Sequence, residues 1–371
     1  MSKRISRREF LAKSGLLAAA CYFASIFNLE ASQVSFKKEA RFYKVIDEKT
    51  VQCQLCPRRC TLSDGVRSFC RVREPKAGKL YSLVYGQVCA AHIDPMEKKP
   101  LFHFLPGSNV YSIATAGCNF RCKFCQNWQI SQYPPEEVES QETSPEEVVA
   151  SARKSNCPSI AYTYTEPSIF YEYMFDTAKL AKANGLKNMY HSNGSLNPEP
   201  LKELAFYLDG ANVDLKGFTQ EFYDKVCAGQ LETVLASLKT LKEKGIWLEI
   251  TNLIIPNLND DLTQIRKMCI WIRDNLGKDV PLHFSRFWPN YRLTNIAPTE
   301  PSLIENARNI AMEEGLEFVY IGNLPGHLAE STYCPSCKNM IIQRKGFSVL
   351  NLKVKDGKCL FCGRVIPGVW S

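Results

Sequence analysis

Between residues 106 and 328 the chain alternates short apolar runs with helical patterns, and this alternation limits the fold more than any other feature. The apolar runs are Val110–Ala116, Ser159–Tyr164, Lys187–Ser192, Ala211–Leu215, Trp247–Ile254, Leu282–Phe287 and Glu317–Ile321. Helical patterns at 145–155, 168–184, 199–208, 231–244, 261–275 and 302–314 separate them. Ser144-Pro145-Glu146-Glu147 predicts a sharp helix start, with serine as cap, proline in the first turn and Glu147 closing a capping box. Runs apolar on both faces belong to parallel strands covered by helices. The expected fold class is therefore α/β, as a barrel or partial barrel of six or seven strand–helix units, or as a doubly wound sheet. No glycine-rich phosphate loop follows the first strand, which weakens the doubly wound reading.

The sixteen cysteines fall mostly into tight groups: Cys53/Cys56/Cys60/Cys70, Cys118/Cys122/Cys125, and Cys334/Cys337 with Cys359/Cys362. Thiolates two or three residues apart on one turn can converge on a shared metal. Cys21, Cys89, Cys157, Cys227 and Cys269 stand apart and read as small buried hydrophobes.

The central group sits in Ala116-Gly117-Cys118-Asn119-Phe120-Arg121-Cys122-Lys123-Phe124-Cys125, directly after the first expected strand. Three thiolates can hold three irons of a four-iron cube and leave one iron open for chemistry. A zinc site would want a fourth ligand close by. Loops after barrel strands are also where barrel enzymes build their sites.

This C-x3-C-x2-C spacing, with the aromatic Phe124 before the last cysteine, resembles the signature of the radical S-adenosylmethionine (SAM) superfamily. The resemblance implies a partial (β/α)6-type TIM barrel with a [4Fe–4S] cluster on Cys118, Cys122 and Cys125. It also implies that SAM is cleaved reductively to methionine and a 5′-deoxyadenosyl radical, which abstracts hydrogen from a substrate. By the same resemblance Glu166, in Tyr164-Thr165-Glu166-Pro167, accepts from the SAM ammonium, although the family's two glycines are Tyr164 and Thr165 here. His191-Ser192-Asn193-Gly194 and Asp214-Leu215-Lys216 resemble segments of the glycyl-radical-enzyme activases, the pyruvate formate-lyase activating type. That implies Ser192, Asn193, Asp214 and Lys216 near SAM, with His191 where those activases carry aspartate. An ion pair of Asp214 with Lys216 is the alternative. Thr251 and Asn252 are candidate polar contacts to adenine, and His283 matches an activase histidine near SAM. A lone histidine between apolar neighbours is more often a core residue. No hydrogen-abstracting or other catalytic side chain is identifiable.

Cys334-x2-Cys337 and Cys359-x2-Cys362, separated by a strand-like stretch Met340–Val354, form a zinc-ribbon-like pattern. So small an appendage is expected to lack a core and to need its metal to fold. Disulfides or a second iron–sulfur cluster are the alternatives. Cys53, Cys56, Cys60 and Cys70 fit either zinc or an extra cluster relaying electrons, and spacing does not separate the two.

Ser6-Arg7-Arg8-Glu9-Phe10-Leu11 and the apolar run 16–27 resemble a twin-arginine export signal, too short to span a bilayer comfortably. Cleavage after Ala31, lipidation at Cys21 and an uncleaved membrane-associated helix all remain open, as does a cytoplasmic location. The net charge of +8 is scattered, which argues against a nucleic-acid partner. The organisation read from sequence is therefore 1–40 signal and linker, 41–105 a cysteine-rich N-terminal region, 106–328 the core, and 329–371 a C-terminal four-cysteine knuckle.

Cys53–Cys60, Asp94–Gly107, the cluster loop, Tyr162–Tyr173 and Ile366–Trp370 recur together, in this order, in one family. Over roughly residues 45–371 the chain resembles the radical SAM enzymes of the AmmeMemoRadiSam system. That implies AMMECR-type and MEMO-type partners, a low-potential electron donor and a substrate that sequence does not define. A glycyl-radical activase and a non-catalytic iron–sulfur or zinc scaffold are the competing functions.

Overall fold

A computed structural model describes residues 38–371, all of which belong to one compact unit. The twin-arginine-like segment and Cys21 lie outside the described residues. Among the described residues no helix is long and apolar enough to cross a membrane.

Seven parallel strands carry the fold: β1 Asn109–Thr115, β2 Ser159–Tyr162, β3 Lys187–Ser192, β4 Gly210–Asp214, β5 Trp247–Ile254, β6 Leu282–Arg286 and β7 Val319–Gly322. Six helices connect them: α1 Pro145–Lys154, α2 Tyr171–Ala183, α3 Pro198–Leu204, α4 Leu231–Glu243, α5 Leu262–Leu276 and α6 Pro301–Glu313. The strands lie side by side in chain order, β1 to β7, and β1 does not pair with β7. A doubly wound sheet would reverse direction midway, so that alternative is excluded. The capping box forms as expected: the Glu147 amide donates to Ser144 Oγ at 3.2 Å, and the Ser144 amide to Glu147 Oε2 at 2.6 Å.

Both faces of the sheet are largely buried, as expected of strands apolar on both, but the second face is apolar only in part. Ile160, Tyr162, Tyr190, Ala211, Val213, Leu248, Ile250, Leu282 and Ile321 pack into the main core. The alternating positions include His191, Asp214, Glu249, Thr251, His283 and Ser285. At a two-residue period these must point away from the core face. The Met96–Leu105 segment fills the concave side below them, and Met96, Leu101, Phe104 and Leu105 pack with Val110, Ala161 and Met189.

Residues 87–95 form a nine-residue strand that pairs antiparallel with β1 and so extends the core sheet. Sequence periodicity did not single it out, since its exposed stretch His92-Ile93 lacks clean alternation. Upstream, two three-stranded sheets carry the N-terminal cysteines; Thr50–Cys53 and Thr61–Ser63 bracket the loop holding Cys56 and Cys60.

The C-terminal region is a hairpin, Met340–Lys345 and Ser348–Leu352, that turns at Gly346-Phe347 and not one long strand. It does not lack a core. Cys334, Ile341, Ile342, Val354, Cys359 and Ile366 pack with Phe102, Phe318 and Tyr320 of the sheet region. Arg344, fully buried, donates to the Phe102 carbonyl at 2.6 Å and to Thr332 Oγ1 at 2.8 Å. The appendage borrows the sheet's apolar surface, which a sequence treated segment by segment does not reveal.

Candidate functional site

The C-terminal ends of the strands open on a cavity of 480 Å³. Its lining draws on the loop after β1 and on the ends of β2 to β7, including Cys118, Phe124, Glu166, Asn193, Lys216 and His283. Side chains from strands β3 to β6 and from the loops after β1 and β2 meet around one space. The volume falls in the range of small-molecule sites.

Cys118, Cys122 and Cys125 all line this cavity, and among the described residues no fourth cysteine does. The loop that carries them is held from both sides. The amides of Arg121 and Lys123 donate to the carbonyls of Cys227 and Val226, at 2.8 and 3.0 Å. Those carbonyls close a π-helical turn, Tyr223–Cys227, which leaves acceptors free of its own ladder. Cys227 is therefore more than the isolated buried cysteine expected: its buried side chain neighbours Cys122 without lining the cavity. Burial pushes the Cys118 thiol up, and the neighbouring Glu166 carboxylate adds to this.

Whether these residues suit an iron cube can be judged from their spread. Among the described residues, the group of three or more metal-binding side chains whose ligand atoms all lie within 4.8 Å of one another is Cys334, Cys337, Cys359 and Cys362. That is the tight set a single ion requires, with metal–sulfur bonds of about 2.3 Å. Cys118, Cys122 and Cys125 share a cavity without meeting that limit, as ligands to separate irons of one cube would.

Glu166 ends the second strand–loop segment and is 2 % exposed. Its carboxylate accepts from Ser192 Oγ at 2.7 Å, from the Asn193 amide at 2.7 Å and from the Ser168 amide at 3.0 Å. Ser192 and Asn193 thus face Glu166 first, and the three form one unit at the cavity edge. The Asn193 side chain donates to Asn119 Oδ1 at 2.8 Å and reaches Cys118 Sγ at 3.8 Å. Burial raises the Glu166 pKa, against the pull of these donors.

Asp214 pairs with both Lys216, at 2.8 Å, and His191, at 3.1 Å. The ion pair and the cavity position are therefore both realised, and Lys216 Nζ also lies 5.6 Å from the centre of the Phe124 ring. Burial opposes the Asp214 charge, but Lys216 and His191 hold its pKa well below the carboxylate range. Thr251 lines the cavity and donates to Asn212 Oδ1 at 3.0 Å. Asn252 does not line it; its side chain donates to the Leu215 carbonyl at 2.7 Å. His283 is at the cavity floor, with Nε2 2.7 Å from Glu249 Oε2, so it is both a satisfied core residue and a lining one.

Sequence reasoning missed the floor. Asp94, Lys98, Lys99 and Tyr164 form one cluster: Asp94 binds Lys98 at 2.8 Å and Lys99 at 2.6 Å, and accepts from the Tyr164 hydroxyl. Burial lowers the Lys99 pKa to about 8 despite Asp94. Tyr164 holds this position with φ 63°, a left-handed conformation that costs a tyrosine about 1–2 kcal/mol. The run Asp94–Gly107 was visible as a motif, but nothing in its pattern said which way it pointed.

Gly117 shows how closely the cysteine loop is seated. Its φ is +101°, and a Cβ there would lie 2.6 Å from Val72 Cγ1 and 2.8 Å from the Cys70 carbonyl oxygen. Gly117→Ala is expected to cost about 2–4 kcal/mol in chemical denaturation and to lower the iron content of the reconstituted protein.

Residues 112–269 match the family model described as "Radical SAM superfamily". The chain carries a radical SAM superfamily domain, and the protein is a radical SAM enzyme. It is 50% identical over 331 residues to "Uncharacterized protein MJ0808" of Methanocaldococcus jannaschii, covering 89% of this chain and 98% of that one. A second relative from the same organism, "Uncharacterized protein MJ0674", is 24% identical over 291 residues, covering 72% of this chain and 76% of that one. Among solved structures, a radical SAM methyltransferase from Sphaerobacter thermophilus is similar with TM-score 0.47 and 11% identity, covering 79% of this chain and 80% of that one. A domain of a pyruvate-formate lyase-activating enzyme from Bacteroides vulgatus is similar with TM-score 0.40 and 16% identity, covering 44% of this chain and 99% of that one. The domain implies SAM and an iron–sulfur cluster, and the C-terminal four-cysteine group is able to bind a metal.

Proposed function

We propose that this radical SAM enzyme binds a [4Fe–4S] cluster through Cys118, Cys122 and Cys125, and SAM beside it, inside a partial (β/α)6 barrel. The observation that carries the reading is the opening of three thiols, and among the described residues no fourth, onto the cavity that Glu166 also lines. When bound, the cluster and SAM supply a one-electron cleavage that yields methionine and a 5′-deoxyadenosyl radical for hydrogen abstraction.

The chain's own residues bind and orient. Glu166, held by Ser192, Asn193 and Ser168, keeps its carboxyl oxygens at the cavity edge beside Cys118 and suits the SAM ammonium. Phe124 and Thr251 border the space for the nucleoside. Lys216, fixed by Asp214 against Phe124, presents a cation to a carboxylate or hydroxyl. His283, braced by Glu249, and Phe102 close the floor against water.

The chain's shared segments with the AmmeMemoRadiSam enzymes extend the proposal to AMMECR-type and MEMO-type partners and a low-potential electron donor. Asp94–Gly107 supports it, since this family-typical run forms part of the cavity wall. For the C-terminal group we propose zinc: all four cysteines are free thiols, with Sγ–Sγ contacts of 3.6 and 3.8 Å. One zinc per chain is expected by elemental analysis, retained when the three cluster cysteines are removed and lost in Cys334→Ser/Cys359→Ser.

Anaerobic reconstitution, dithionite and SAM are expected to yield 5′-deoxyadenosine, faster with the true partner present. Iron-loaded protein that binds SAM yet makes no deoxyadenosine would reject the reading. A glycyl radical appearing in a partner enzyme would shift it to an activase.

A further inference from the structure

The N-terminal cysteines have no role in the reading above, yet they lie against the cluster loop. We propose that Cys53, Cys56, Cys60 and Cys70 hold a second [4Fe–4S] cluster, ligated entirely by cysteine, which passes single electrons to the site at Cys118, Cys122 and Cys125. The metal site stands independently of the proposed function; the relay rests on it.

The fold draws the four thiols together. The Cys53 amide donates to the Cys60 carbonyl at 3.0 Å, which closes the loop carrying Cys56 and sets three cysteines on one turn. Cys70 sits in a second turn, where the Arg71 amide donates to the Ser68 carbonyl at 2.9 Å. All four are free thiols, so disulfides do not account for them. Cys53 and Cys56 each feel the charge of Cys60 and Cys70, which puts the set within one electrostatic neighbourhood. Among the described residues they do not form a group with every sulfur within 4.8 Å, unlike the C-terminal four. Cys118, Cys122 and Cys125 do not form such a group either. A single zinc ion draws four sulfurs nearly into contact, whereas a cube takes one thiolate at each of four separated irons.

One fixed cation favours an anionic cluster at this place: Arg58 lies within electrostatic reach of Cys56, Cys60, Cys70 and Cys118. Buried Arg73 also reaches Cys53 and Cys70, but its charge is already paired with Glu172 at 2.7 Å. A four-thiolate cube gains one further negative charge on reduction, which a neighbour such as Arg58 offsets.

The route to the catalytic loop is short. The Cys70 carbonyl packs directly on Gly117, the residue before Cys118. Arg58 Nε donates to the Asn119 carbonyl at 2.9 Å, and Arg121 donates to the Cys118 and Phe120 carbonyls at 2.8 Å and also to the Phe69 carbonyl. Both guanidiniums flank the Phe69 ring, at 3.4 and 4.1 Å from its centre. Cys53 and Cys70 are buried, while Cys56 and Cys60 are partly buried. A low-potential one-electron donor of the ferredoxin or flavodoxin class would reduce the cluster from the Cys60 side. The cluster is reoxidised as the electron moves on to the catalytic site, so no electron is gained or lost in the relay.

The test uses the full chain with Cys118, Cys122 and Cys125 all changed to alanine. Anaerobically reconstituted, it is expected to keep about four irons and four sulfides against about eight of each in the wild type. Its dithionite-reduced EPR signal should not change on adding SAM. Adding Cys56→Ala/Cys60→Ala should remove that iron. Cys56→Ala/Cys60→Ala alone should leave the SAM-sensitive signal and lower deoxyadenosine formation at least tenfold with a protein donor, while dithionite restores most of it. An iron-free triple variant, or one with a second zinc per chain, overturns the site. Unchanged turnover with the protein donor overturns the relay. Should Cys56→Ala/Cys60→Ala fail to fold by circular dichroism, the iron count of the triple variant still decides the site. A wild type with the SAM-insensitive signal alone would sink the proposed function and leave this site standing.

Discussion

Cys122→Ala is expected to lower deoxyadenosine formation from SAM by at least about 10³-fold, because the cleavage step loses the electron source itself and not a fraction of its binding energy. Cys118→Ala and Cys125→Ala should match it. All three thiols line one cavity, and among the described residues no other cysteine there can take over. Cys227 supplies the control. It neighbours Cys122 and is fully buried, but it does not line the cavity. Cys227→Ala should therefore stay within about 10- to 100-fold of the wild type, the range expected for loss of an outer-shell partner. Parallel iron counts and SAM-perturbed EPR spectra check both claims. Were Cys227→Ala as damaging as Cys122→Ala, with iron lost in the same proportion, a four-thiolate site would replace the three-thiolate one.

Glu249→Ala should cost about 3–5 kcal/mol of stability, which chemical denaturation would measure. This carboxylate is fully buried and accepts from four directions. The amides of Phe102 and His103 donate at 2.9 and 2.7 Å, Trp247 Nε1 donates at 2.9 Å, and His283 Nε2 lies at 2.7 Å. Removing it strands two buried backbone donors and two side chains at once. Glu249→Gln, which keeps the shape and one acceptor oxygen, should lose clearly less. The same group sets a pH dependence. Burial would raise its pKa, yet the bond and charge of His283, with His103 and the Phe102 amide, hold it below the ordinary 4.5. A carboxylate depressed in the folded state stabilises it fully above pH 4.5. That share is lost as pH falls through the lower folded value. The wild type should therefore show an acid-side loss of stability that Glu249→Gln lacks.

Strand and helix placement was largely legible, and the reason is periodicity. Lys187–Ser192 and Trp247–Ile254 have the bounds read from sequence, and α1 begins at its capping box. Local patterns failed where a segment's surroundings lay far away in the chain. His92-Ile93 is exposed at a sheet edge, so its strand carries no alternation. The C-terminal hairpin finds its core on Phe102, Phe318 and Tyr320, two of which lie just before or within β7.

The cluster cysteines were readable because three ligands on one loop are a local matter of spacing. Glu166, Ser192 and Asn193 could be picked out one by one as strand-end polar residues. Their union around a single carboxylate came only with the parallel pairing of β2 and β3. The floor cluster of Asp94, Lys98, Lys99 and Tyr164 is similar, since its members are up to 70 residues apart.

From its order of residues alone, this chain determined its alternating elements, its three-thiolate loop and its four-cysteine C-terminal group, because each rests on contacts among near neighbours. Tertiary structure decided which strand face is partly polar, what lies beneath the cavity, and that Cys70 touches Gly117. Those outcomes depend on distant segments meeting in space, and no local period encodes them.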